Sequence, residues 1–424
     1  MNELFLSYLW KYRHLDQEIK TESGEQLVVL HPGEQNTDSG PDFFNARIRI
    51  GDTTWAGNVE IHVVASDWFR HGHHDDPAYD HAILHVVYDA DRQVFHQNGE
   101  PMQTLVVKNQ FPAWIYDRYQ LMMQNRQWIP CLNQLHSSGS GDFGMWAPAL
   151  AVERLQNKSI NIRQLLSGCS GDWEEACYRH LSGSFGFKIN TLPFELLAKS
   201  LPLKVVRHHC DSMFQMEALL FGQAGMLNQA FRDPYPRNLT HEYQFLCSKY
   251  NLKPIAGSLW KHLRLRPPNF PAIRISQFAG FLCQTQARLF NLFEKGTLTG
   301  VMDDFIISAS AYWDSHYLFD KSAVRQRKIM GGSCVKLFEI NGMAPFLFYY
   351  GLEKGQPDLC ERVIEFLEQT SGEQNVHITR WRQAGFPVGN AMQTQALLQL
   401  KQSYCDKKRC LECRIGNRLL TEPG

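Results

Sequence analysis

An excess of charge of either sign is missing from this chain: 43 Lys and Arg side chains stand against 43 Asp and Glu in 424 residues. That balance excludes a whole-molecule field that would draw a polyanion, so any nucleic-acid contact must rest on a local patch. A secretory leader is missing too, because the opening "MNELFLSYLWKYRHLDQ" carries Glu3 early and has no basic segment ahead of an unbroken apolar core. The longest apolar run, "MAPFLFYYGL" from Met343, is interrupted by Pro345 and is too short to span a bilayer. No Walker A loop, dinucleotide fingerprint, nucleophile elbow or kinase signature occurs, which speaks against nucleoside triphosphate and nicotinamide chemistry. The eleven cysteines are scattered and odd in number, so they fit reduced thiols in the cytoplasm better than a disulfide framework.

What is present reads as an ordinary globular chain, 44% apolar and 20% charged, long enough for two domains. "LFLSYLWKYRHL" has helical spacing. After it come "EQLVVLHPG", "FFNARIRIG", "TTWAGNVEIHVV", "HAILHVVYDA", "RQVFHQ" and "MQTLVVK", short β-branched or alternating runs bounded by turn residues, with Asn98-Gly99 marking a tight hairpin. From about Pro112 onward apolar residues recur every three or four positions. The expectation is an α+β chain: a small mixed-sheet domain over 1–112, a linker over 113–144 with "SSGSGD" from Ser137 as its most linker-like stretch, and a mostly helical domain over 145–424 carrying a cysteine cluster.

The stretch "GPDFFNARIRIGDTTWAGNVEIH" holds the chemistry. Side chains alternate along a strand, so Asn58, Glu60 and His62 share one face while Val59, Ile61 and Val63 share the other. With Asp42 from the preceding strand, Glu60 brings two hard oxygen ligands toward one divalent cation such as Mg2+ or Mn2+, and the third group acts on a water. Two carboxylates and a cation are the parts needed to stabilise a phosphate in flight. The plainer reading makes Asp42 a turn-closing acid and Glu60 and His62 members of a solvated sheet face. Downstream, "DWFRHGHHDDPAYDHAILH" crowds His71, His73, His74, His81 and His85 beside Asp75 and Asp76. His71 and His73 are candidate contacts to phosphate or water, or with Asp76 to a cation, against an exposed polar loop in which His85 is merely hydrogen-bonded on its strand.

The element order, helix, strand, acid-bearing strand, Glu-x-His strand, short helical "SDWFRH" and strand, resembles the core of the PD-(D/E)xK nuclease superfamily over about residues 1 to 90. The resemblance implies a magnesium-dependent nuclease in which Asp42 matches the first acid and Glu60 the second, His62 stands where the lysine belongs, and Glu3 matches an acid supplied by the first helix. A histidine there departs from the pattern and acts as base, switchable cation or metal ligand. The phrases "GPDF", "VEIH" and "ILHVVY", with the cysteine-bearing tail, are similar to a widespread bacterial family of unknown function over residues 1 to about 420.

"YCDKKRCLECRIGNRLL" places Cys405, Cys410 and Cys413 in a C-x4-C-x2-C spacing. A C-x2-C pair reaches one centre from a single turn, a third cysteine joins it, and Cys131 in "WIPCLNQ" is the candidate fourth ligand to zinc or an iron–sulfur cluster. Certain PD-(D/E)xK exonucleases pin their core with one remote and three clustered cysteines, which is the arrangement the resemblance implies. Three free thiols on a basic helix is the alternative. Two basic stretches remain. "KHLRLRPPNFPAIR" sets Lys261, Arg264, Arg266 and Arg274 among Trp260, Phe270 and prolines, and "KSAVRQRKIMGGSCVK" is the second. Arg264 and Arg266 are candidates for gripping a phosphate backbone, and solvated surface loops are the plainer reading. Together the sequence points to a divalent-metal-dependent nuclease acting on nucleic acid, or to an inert nucleic-acid-binding or scaffold protein that keeps the fold.

Overall fold

The computed structural model describes residues 1–135, 139–293 and 298–422. Ser137 and Ser138 of the expected linker lie outside them. The chain forms two compact units: Met1–Gly139 with Lys401–Gly424, and Ser140–Leu400. The mixed α+β character anticipated from sequence is present, with a mixed sheet near the N-terminus and a helical remainder. The partition differs from the expected one at both ends. Residues 113–124 are a helix of the first unit, and the cysteine tail belongs to the first unit and not to the helical one. The reason is packing: the helix Arg414–Thr421 lies on α3 (Ala113–Gln124), and Arg118 Nη1 donates to the carbonyls of Leu419, at 3.2 Å, and Glu422. Composition cannot register a contact between segments some three hundred residues apart.

In the first unit, α1 (Glu3–Tyr12) is capped by Asn2, whose side chain accepts from Phe5 N–H, and it packs on the sheet through Phe5, Leu6, Leu9 and Trp10. The strands are β1 (Ile19–Lys20), β2 (Gln26–His31), β3 (Glu34–Gln35), β4 (Phe43–Ile50), β5 (Thr53–Val64), β6 (Ala82–Asp89) and β7 (Thr104–Val106), in the order β1-β2-β4-β5-β6-β7 with β3 beside β4. Pairing is antiparallel from β1 to β5 and parallel from β5 to β7. "RQVFHQ", expected as a strand, yields only a bridge, Phe95 to Pro101, closing the Asn98-Gly99 turn.

The change from antiparallel to parallel positions the site. Two parallel neighbours cannot be joined by a hairpin, so residues 65–81 must cross over one face of the sheet. That crossover contains α2 (Asp67–Arg70) and the histidine-rich turns. Residues 59 to 62 of β5 are consequently buried on both faces, which sets aside the plainer reading of Glu60 and His62 as members of a solvated face.

The second unit is mostly helical, including the segments Pro234–Tyr250 and Gly332–Phe338, with a short two-stranded sheet of His316–Leu318 and Lys321–Ser322. A close helix contact forms where Gly222 meets Tyr243: a Cβ at Gly222 would sit 2.1 Å from the Tyr243 ring, which is buried and donates from its hydroxyl to Gln223 Oε1 at 2.8 Å. Gly222→Ala should therefore cost about 1–3 kcal/mol through overpacking, whereas Gly168→Ala, at a helical position with open space around it, should be neutral or stabilising by about 0.5–1 kcal/mol. Thermal denaturation of the two variants checks the contrast.

Candidate metal centre

Asp42 is delivered by a constrained turn. Gly40 adopts φ 103°, Asn36 Nδ2 donates to the carbonyls of Asp38, Ser39 and Pro41, and Asn36 N–H donates to Asp42 O at 2.8 Å. Asp42 thus sits just before β4 and is cross-linked to β5: its own N–H donates to Glu60 Oε2 at 3.0 Å, and its Oδ2 accepts from Ile61 N–H at 3.0 Å. Burial and the neighbouring Glu60 carboxylate raise Asp42 to about 7, with Ile61 N–H opposing. Beside Glu60 the β5–β6 register shifts between Asn58 and Val59. Gly57 permits this close approach, because a Cβ there would meet Ile83 Cγ2 at 2.4 Å and His81 O at 2.6 Å.

Glu60 and His62 lie on β5 as the sequence pattern predicts, and both are buried, at 5% and 1% exposure. The crossover adds His71 and His73. One ring nitrogen from each of His62, His71 and His73 falls within 4.8 Å of the others. His62 Nε2 is 3.1 Å from His71 Nδ1, and Glu60 Oε1 lies 3.5 Å from His62 Nε2 and 3.2 Å from His73 Nε2. A tetrahedral ion with ligand bonds of about 2.0–2.1 Å sets its ligand atoms about 3.4 Å apart, close to the His62–His71 separation and to those of Glu60 from His62 and His73, although Glu60 falls outside the group whose atoms all lie within 4.8 Å. Burial first, and then the neighbouring His85, His73 and His71, push His62 down to about 2. Neutral imidazoles aiming lone pairs at one another at 3.1 Å repel unless a proton or a cation lies between them.

The support behind this cluster is ordered. His62 Nδ1 is 2.8 Å from His85 Nε2, His85 is fully buried and lowered to about 3, chiefly by burial, and Glu60 and His85 are register partners across β5 and β6. His73 stacks on Tyr79 with ring centroids 3.8 Å apart. These contacts fix both rings. His85→Ala should therefore weaken metal affinity by about 10–100-fold without changing the ligand count, as metal titration of the apo protein will register. Sequence reasoning left His85 as a strand histidine and passed over Tyr79. The available signal was a single imidazole within the apolar run "ILHVVY".

Glu3 lies exposed at the start of α1, and partial desolvation raises its carboxyl, with His71 opposing and Asp67 and Glu60 adding. Asp76 caps a 3-10 turn by accepting from Ala78 N–H and is not among the clustered ligands. A groove of ≈ 810 Å³ shares His73 with the centre and is lined by Trp55, Phe95, His81 and His96, with Trp55 and Phe95 both exposed.

The sequence profile of the family described as "Protein of unknown function (DUF2851)" matches residues 3–376. The chain belongs to that family. Neither the curated proteins nor the solved structures give a match. The DUF2851 match takes in Asp42, Glu60, all the clustered histidines and Cys131, and it ends before Cys405.

In this DUF2851 chain the first unit also gathers four thiols. Cys131, Cys410 and Cys413 are buried, Cys405 is partly so, and none is in a disulfide. Burial raises Cys131 to about 12, with Cys413 and Cys410 adding to it. Burial likewise raises Cys405, with Cys413, Cys131 and Cys410 adding. Cys410 rises to about 12 and Cys413 to about 11, mainly by burial. Cys131 and the tail thiols thus perturb one another electrostatically, but among the described residues they form no group whose ligand atoms all lie within 4.8 Å of one another. Cys410 is approached closely by Gly416, where a Cβ would lie 2.2 Å from Cys410 O. Arg264 and Arg266 lie exposed in the second unit, just ahead of the helix Pro271–Gln284.

Proposed function

We propose that the first unit is a divalent-metal-dependent hydrolase of nucleic-acid phosphodiesters, acting in the cytoplasm. The observation that carries this reading is the closure of His62, His71 and His73 within 4.8 Å, with Glu60 Oε1 touching two of them and Asp42 cross-bonded to Glu60. The nitrogen-rich donors favour a zinc- or iron-class ion over the oxygen-preferring Mg2+. Such an ion, when bound, polarises a phosphoryl oxygen and lowers the pKa of water. Glu60 presents Oε1 beside two of these nitrogens while Asp42 N–H holds its Oε2. Asp42 keeps Oδ2 on Ile61 N–H and leaves Oδ1 to take the proton of an attacking water. His62 is held by His85 so that Nε2 faces inward. Trp55 and Phe95 in the adjoining groove offer exposed rings on which bases stack.

The four thiols are proposed to hold a second, structural centre, zinc or an iron–sulfur cluster, that ties residues 401–422 to the segment around Cys131. The eleven unbridged cysteines support a reducing compartment. Among the described residues no helix is long and apolar enough to cross a membrane.

The test is cleavage of labelled single- and double-stranded DNA and RNA by metal-depleted protein to which zinc, iron(II), manganese or magnesium is returned singly. Restored cleavage with one of them supports the reading. Binding without cleavage under every metal replaces it with a catalytically inert nucleic-acid-binding protein.

A further inference from the structure

The two basic stretches come together in the second unit around a cavity of ≈ 140 Å³, lined from one side by Asn269, Arg274 and Gln277 and from the other by Arg327, Lys328 and Cys334. Arg274 is 5% exposed and Lys328 is 4% exposed. Buried cations normally face a carboxylate, because an unpaired buried charge is costly. Here none is supplied: among the described residues no acidic side chain pairs with either. Arg274 Nη1 donates to Gln277 Oε1 at 2.8 Å, Nη2 donates to Asn269 Oδ1 at 2.5 Å and to Cys334 Sγ at 3.2 Å, and Nε is buried with no partner. Its guanidinium stacks on the Phe187 ring at 4.3 Å. Lys328 Nζ donates only to the carbonyls of Asp314 and Gln326 and lies 4.1 Å from the Tyr317 ring centroid. Gln277 Nε2 donates to Lys328 O at 3.0 Å, tying the two segments into one wall.

We propose that this cavity binds a phosphate-sized tetrahedral oxyanion, held by the Arg274 fork and Lys328 with Arg327 at the mouth. Two buried cations, an unused guanidinium N–H and neutral amide partners make a receptor for negative charge, and a planar fork suits phosphate geometry. The volume falls below that of pockets for drug-sized ligands, so the occupant is a free ion or the terminal phosphate of a monoester whose remainder stays outside. This site is independent of the metal centre and stands whether or not the first unit cleaves anything.

Calorimetric titration of the full chain with orthophosphate in phosphate-free buffer should show saturable binding. Arg274→Gln and Lys328→Met should each weaken it by about tenfold or more, and Arg274→Lys, which keeps the charge but not the fork, should fall between. A nucleoside 5′-monophosphate that binds more tightly than orthophosphate, with its parent nucleoside silent, identifies a monoester as the source; equal or weaker binding identifies the free ion. Because a buried arginine variant can unfold, alkylation of Cys334 in the wild type, followed by peptide mass spectrometry, gives a second measure. Phosphate should slow it, while alkylation of the half-buried Cys360 stays unchanged. Absence of binding at millimolar phosphate, with Cys334 alkylation unaffected, overturns the proposal.

Discussion

Glu60→Gln should abolish cleavage, lowering turnover by about 10³-fold or more, and should lower metal occupancy of the centre with it. The carboxylate is 5% exposed, lies within 3.5 Å of two imidazoles and is held from behind by Asp42 N–H, so the amide replaces the charge without vacating the space. A neutral carbonyl oxygen is a weaker ligand for a divalent ion, and loss of one preorganised electrostatic group typically costs about 10²–10³ in rate before the loss of metal is counted. His62→Ala removes one of the three clustered nitrogens and should give the same loss while nucleic-acid binding persists. His62→Lys discriminates between two ways of holding the ion. An ammonium at that position is tolerated if Asp42 and Glu60 alone hold the metal, as the nuclease resemblance implies. It is not tolerated if the imidazoles do, because a cation then stands 3.1 Å from His71 in place of a lone pair. The expected result is loss of both metal and activity. Equal cleavage by wild type and all three variants would place the activity elsewhere or in a contaminant.

Much of this centre was legible in the sequence because strand periodicity is rigid. Asp42 after Gly-Pro, and Glu60 and His62 two residues apart, are fixed to their places by the turn and by alternation. His71 and His73 were visible only as a crowded loop. Nothing in their spacing says that β5 and β6 pair in parallel, and it is the parallel pairing that forces the intervening residues back across the sheet onto Glu60. The same gap is why a solvated face stood as the plainer alternative where a buried one is found. His85 escaped notice because its partner is a register neighbour on another strand. Apolar residues recurring every three or four positions past Pro112 correspond to helices such as Trp173–Phe185. That spacing could not reveal that the tail folds with the first unit, because that assignment rests on Arg118, the helix Arg414–Thr421 and the thiols, all long-range contacts. Nor did two separate basic loops announce a shared cavity.

The proposed cysteine centre carries the largest expected effect on stability. Cys413→Ser should strip metal from the tail and destabilise the first unit by about 3 kcal/mol or more, since structural metal binding is itself folding free energy. At roughly 2–4 °C per kcal/mol for a domain of 150–250 residues, the melting transition should drop by about 6–12 °C. The physical reason is that four thiols, pushed well above neutrality by burial, cannot ionise in the folded chain by themselves, and a bound cation is what makes their thiolates favourable. Cys131→Ser tests the long-range link. It should reproduce the loss although it lies some 270 residues from Cys405, whereas Cys360→Ser, in the second unit, should leave both metal content and melting unchanged. Metal analysis with an absorption spectrum of anaerobically purified protein decides the chemistry: visible charge-transfer bands with iron and sulfide mark a cluster, and a colourless protein with zinc marks a tetrahedral thiolate site. Wild-type protein free of both metals, and melting unmoved by Cys413→Ser, would make these thiols small apolar groups of the core, which neutral buried cysteines also are.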